Sequence, residues 1–145
     1  MKNAVLLLLL LAGCASSAQD DPNAPNITFH LEQYDTGTNA YTFNGALNLA
    51  FALSVTNTTN QPVKINRLEI RTIGSGAFTI RPTSTSINMD LGPGEAKTMP
   101  ISVWGYARGG HMASTEPVTI RGTAYLTGPS GAFMHLFSEY ITPQQ

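Results

Sequence analysis

The chain has 145 residues, 8 of them basic and 9 acidic, and only 12% carry a charge. That balance excludes the basic footprint of a nucleic-acid-binding protein, and the length allows one domain with a substantial core. Its single cysteine excludes an internal disulfide framework, so stability has to come from packing.

Lys2 is a short positive segment, and Ala4 to Ala12 is an unbroken apolar run of nine residues. This is the build of a secretory signal, too short to cross about 30 Å of hydrocarbon as a helix. The segment Leu11-Ala12-Gly13-Cys14 resembles the lipobox of bacterial lipoproteins. The resemblance implies that residues 1–13 are a signal peptide cut before Cys14. It also implies diacylglycerol on the Cys14 thiol and a further acyl chain, such as palmitate, on the new amine. Two or three acyl chains anchor a protein effectively permanently, where one is reversible. Ala15 follows the cysteine where an aspartate would signal retention, which implies the outer membrane, facing the periplasm. Removing Lys2 leaves 7 basic against 9 acidic side chains. Residues 14–26 are small, polar and proline-punctuated, a tether spanning about 20 Å at roughly 5–6 Å per root residue.

From residue 27 to 145 the pattern is that of strands. Ile27, Phe29 and Leu31 alternate with Thr28, His30 and Glu32, and Leu47, Leu49, Phe51, Leu53 and Val55 share one face. In the next stretch Val63 and Ile65 are in one phase and Leu68 and Ile70 in the other, which predicts a bulge near Asn66. Short strands follow at residues 77–80 and 86–91, then a tight Gly92-Pro93-Gly94-Glu95 turn. Met99, Ile101 and Val103 alternate, as do Val118, Ile120, Ala124 and Leu126, before a last strand over residues 132–141. Leu49, Phe51, Leu53, Ile101, Val103 and Ile120 form the expected core. Seven to nine short strands without a helical period predict an all-β, antiparallel sandwich.

The stretches VTNTTNQPVKINRLEI, GAFTI, LGPGEAKTMPISV and EPVTIRGTAYL resemble immunoglobulin-like modules of the abnormal-spindle/Hydin type. They are similar also to late-embryogenesis type 2 domains. The resemblance covers about residues 47–127 and implies an immunoglobulin-like sandwich used for binding or spacing; it carries over no catalytic residue.

Chemistry-bearing motifs are sparse. His30, His111 and His135 lie in no hydrolase or metalloprotease context, and the carboxylates are scattered, so neither catalysis nor a cofactor is expected. His111 with Met112, and Met134 with His135, pair imidazole with thioether, which suits Cu(I). A copper-handling lipoprotein is therefore one alternative, and a carrier of an apolar ligand between the sheets is another. The sequons at Asn26 and Asn57 are expected by chance in a threonine-rich chain.

Two surfaces stand out. If residues 127–131 close a five-residue loop, Leu126 faces Ala132, Ala124 faces Met134 and Gly122 faces Leu136. Tyr125, Phe133 and Phe137 then share the outer face with Arg121 and His135, an aromatic patch of the kind that marks contacts. A shifted register, or coverage by residues 35–46 with Tyr41 and Phe43, would remove it. The second surface is the connection over residues 107–117, where Trp104, Tyr106, Arg108 and His111 give recognition chemistry on an adaptable loop; a plain inter-sheet crossover is its other reading. Together these predict a lipid-anchored module that binds or spaces an envelope protein, or associates with itself.

Overall fold

The computed structural model describes residues 26–34, 44–108 and 116–142. The expectations for the signal segment, Cys14, most of the tether, residues 35–43, His111 and Met112 lie outside the described residues. Eight strands follow in chain order: β1 (Ile27–Gln33), β2 (Asn44–Asn57), β3 (Val63–Ile73), β4 (Phe78–Thr79), β5 (Thr83–Leu91), β6 (Ala96–Arg108), β7 (Val118–Gly128) and β8 (Gly131–Ile141). They form two four-stranded antiparallel sheets, ordered β1-β2-β6-β4 and β5-β3-β7-β8. Strands one, two and six face strands three, seven and eight, an immunoglobulin-like sandwich.

Period-2 patterning builds the interior. The five apolar residues from Leu47 to Val55 all turn inward, opposite Ile65, Leu68, Ile70, Ile120 and Leu126 of the second sheet. The six expected core residues are all buried, and Phe51 and Leu53 have no exposed surface. Phe51 meets Phe78 edge-on at 6.4 Å. β4 is short but plants this ring in the centre.

The phase slip in β3 is a bulge. Between Ile65 and Arg67 the register shifts against both neighbours. Against β7, Asn66 is the extra residue, and its amide donates to Thr127 Oγ1 at 2.9 Å. Against β5, the extra residue lies on the partner strand, where Asn88 takes a left-handed φ of 51°. Both halves of β3 thereby keep their apolar residues inside.

Buried Asn57 fastens the end of the sandwich. Its Nδ2 donates to the Gln61 and Gly92 carbonyls at 2.8 and 2.9 Å, while Oδ1 accepts from Thr59 N and Oγ1. This ties the 58–62 turn to the 92–95 turn, where Gly94 has φ 69° after Pro93, as a type II turn requires. The full burial of Asn57 also removes the sequon there as a modification site. Pro100 is tolerated in β6 because β4 pairs only with Tyr106 and Ala107, leaving one side of β6 free at position 100.

Candidate interaction surface

β7 and β8 meet through a two-residue turn, Pro129-Ser130, between the paired Gly128 and Gly131. The expected five-residue loop is thus corrected, and the register moves by one. Leu126 faces Phe133, Ala124 faces His135 and Gly122 faces Phe137. A one-residue slip exchanges the faces of every side chain. Phe133, His135 and Phe137 turn inward and are half-buried, while Met134, Leu136 and Tyr140 stand in solvent at 66%, 70% and 70% exposure. The expected outer patch of Phe133 and Phe137 does not exist; the outer residues of β8 are instead aliphatic at its centre and aromatic only at Tyr140.

The inward ring set closes the seam between the sheets. Phe29 of β1 stacks on both Phe137, at 4.9 Å and 8°, and His135, at 5.3 Å and 26°. Burial pushes the His135 pKa below the ordinary histidine value. On the rim, His30 Nδ1 approaches Glu139 Oε1 at 3.3 Å. His135 therefore serves the packing of the seam, with Met134 pointing away from it. Among the described residues no group of three or more His, Cys, Asp or Glu is placed to hold a metal ion.

On the outer face of the second sheet, Arg67 lies 3.8 Å over the Tyr125 ring, so Tyr125 is half-covered. Arg71 and Arg121 stand directly opposite each other in the β3–β7 ladder, both exposed, and Arg121 is next to Ser138 of β8. A shallow groove runs over Glu69, Arg71, Arg121, Thr123, Leu136 and Ser138.

On the first sheet, Trp104 and Tyr106 are successive outward residues of β6, 69% and 54% exposed. A depression beside them is edged by Thr79, Arg81 and Thr83. Trp104 pairs with Asn48, whose Oδ1 accepts from Ser102 Oγ, and Arg108 pairs with Asn44 at the strand end. Trp104 and Tyr106, expected to serve the 107–117 loop, lie on β6 and are exposed, as is Arg121 on β7. Sequence patterning missed Arg71, Met134, Leu136 and Tyr140, whose common face depends on the β7–β8 register.

No family model matches the chain, and no curated protein matches it. Solved structures do. The X-ray structure of the Northeast Structural Genomics Consortium target SoR45 is similar with a TM-score of 0.56 at 10% identity, over 83% of this chain and 88% of that one. A protein from Archaeoglobus fulgidus is similar at 0.48 and 11% identity, over 81% and 97% of the two chains. A FixG-related protein from Vibrio parahaemolyticus is similar at 0.43 and 17% identity, over 82% and 97%. At such identities the likeness to the first of these is one of fold.

Proposed function

We propose that this protein is a lipid-anchored module of the bacterial cell envelope that binds or spaces another envelope component without catalysis. Cys14 is the anchor, placed in the outer membrane and facing the periplasm, and residues 15–26 are the tether. The observation that carries this reading is the polarity of the sandwich. The chain joins it at the pole of the 58–62, 92–95 and 129–130 turns, where the Asn26 carbonyl accepts from Thr58 N at 3.1 Å and Oγ1 at 2.5 Å. Exposed Trp104, Tyr106 and Tyr140 all pair in the far half, towards Asn44, Ile73 and Val118. Along β2, from Asn57 to the residues opposite Trp104 and Tyr106, that separation is about 30–36 Å at roughly 3.3 Å per residue. A tethered domain thus turns its amphipathic aromatic rings, the side chains enriched at contacts, away from the lipid.

The test is photo-crosslinking in intact envelopes from position 104 or 140, beside position 60 at the near pole, with Cys14→Ser in parallel. The expected result is a discrete adduct from the far positions alone, and loss of detergent-phase partitioning in the Cys14 variant. Adducts from position 60 alone, or unchanged partitioning, overturn the reading.

A further inference from the structure

The sandwich has four strand edges, and three of them are blunted. β4 is two residues long, and the stretch of β6 it leaves open carries Lys97 and Pro100; β5 is interrupted at Asn88; β1 turns Thr28, His30 and Glu32 outward. Short length, irregularity and charge are the usual defences against pairing with another chain. β8 is long and regular, and its outward row carries no charge. It keeps unbroken register with β7 over eleven residues, contains no proline, lysine or arginine, and turns both His135 and its one acid, Glu139, toward the seam. Its outward row is Met134, Leu136, Ser138 and Tyr140.

Behind that row lies an unusual charge arrangement. Arg71 and Arg121 face each other across the ladder, and like charges so placed repel. Among the described residues neither guanidinium is within 4.0 Å of a carboxylate. Arg71, Arg121 and Ser138 form one transverse row that ends at the free edge. Strands are about 4.8 Å apart, so a residue added beyond Ser138 stands about 10 Å from the Arg121 backbone, within the joint reach of arginine and glutamate. Ser138 is small enough to let the arginine side chain extend across it.

The geometry points to the β8 edge as the docking site for an extended peptide strand of an envelope partner, with a defined outward pattern. Successive outward residues are apolar beside Met134 and Leu136, acidic beside Ser138, and apolar again beside Tyr140. Backbone pairing supplies affinity and the alternate side chains supply selectivity, as in other strand additions. A second copy of this chain fits less well, because the outward row of its own β8 has no carboxylate for the arginines. The inference rests on the binding reading above, and names the chemistry of the partner.

The test uses the mature lipidated protein in detergent and a labelled peptide, Thr-Val-Thr-Val-Thr-Glu-Thr-Val-Thr, beside its counterpart with Lys for Glu. Fluorescence anisotropy should show the Glu peptide binding about tenfold more tightly, reversing a repulsion into a pairing. Arg71→Ser with Arg121→Ser should abolish the preference without lowering the melting temperature, and Leu136→Lys should weaken both peptides. Equal binding of the two peptides, or a preference kept by the double arginine variant, overturns the proposal. Binding of phosphatidylglycerol vesicles without peptide binding assigns the arginines to lipid, and a dimer dissolved by Leu136→Lys assigns the edge to a second copy; either also overturns it. Because the peptide assay does not depend on anchoring, its failure is distinguishable from failure of the envelope crosslinks.

Discussion

The Phe137 ring packs against Gly122, its partner across the β7–β8 ladder, so closely that a β-carbon at Gly122 would lie 2.1 Å from the nearest ring carbon. The glycine leaves a hollow, and the aromatic ring fills it from the next strand. Gly122→Ala should therefore cost about 1–3 kcal/mol by overpacking. Phe137→Leu should cost less in the Gly122→Ala background than alone. Urea melts of the two single variants and the double variant check this; additive losses would mean that the two residues do not touch.

His135 gives the fold a pH dependence. Its pKa is pushed down by burial, so the unfolded chain binds the proton more readily than the folded one. The stability tied to neutral His135 is complete above the ordinary histidine pKa, and is lost as pH falls through the lower folded value. Melting temperature should drop between about pH 7.5 and pH 5. His135→Phe, which keeps a ring against Phe29, should flatten that drop, and a profile of unchanged slope would exclude His135 as its source.

Asn57 should be irreplaceable by shape alone. Asn57→Ala deprives the Gln61 and Gly92 carbonyls of a donor and should cost about 1–3 kcal/mol. Asn57→Asp should cost more near neutral pH, because it points a carboxylate oxygen at those same carbonyls. Chemical denaturation ranks the variants, and Asp tolerated better than Ala would contradict the bonding pattern.

Arg121→Thr removes a like-charge pair from the outer face and puts a β-branched residue in a strand. A gain of about 0.2–1 kcal/mol is expected, largest at low salt. A loss of stability in low-salt thermal melts would show that the Arg71–Arg121 opposition is already compensated within the chain.

Legibility followed contrast along the chain. In β2 each inward residue from Leu47 to Val55 has a small or polar neighbour, so only one phase buries the apolar set. In β3 the slip between Ile65 and Leu68 was itself readable as a bulge. From Ala132 to Phe137 every residue except His135 is apolar, and both phases bury hydrophobic surface equally well. There the turn decides, with Gly128 and Gly131 flanking a two-residue connection, and the hollow at Gly122 decides with it. Trp104 and Tyr106 were visible because they alternate with buried Val103 and half-buried Gly105. The Arg71–Arg121 pair was not, since residues 50 positions apart become neighbours only through the ladder.

The polarity of the sandwich also bears on mechanical load. Ile27 opens β1 at the near pole and Ile141 closes β8 at the far one, in different sheets. A pull between the start of β1 and the end of β8 therefore runs along the strands. It loads the seven pairs of β1 with β2 in shear, together rather than one after another. The same ladder pulled from one end would unzip bond by bond. Pulled between those two ends, the domain is oriented to resist extension.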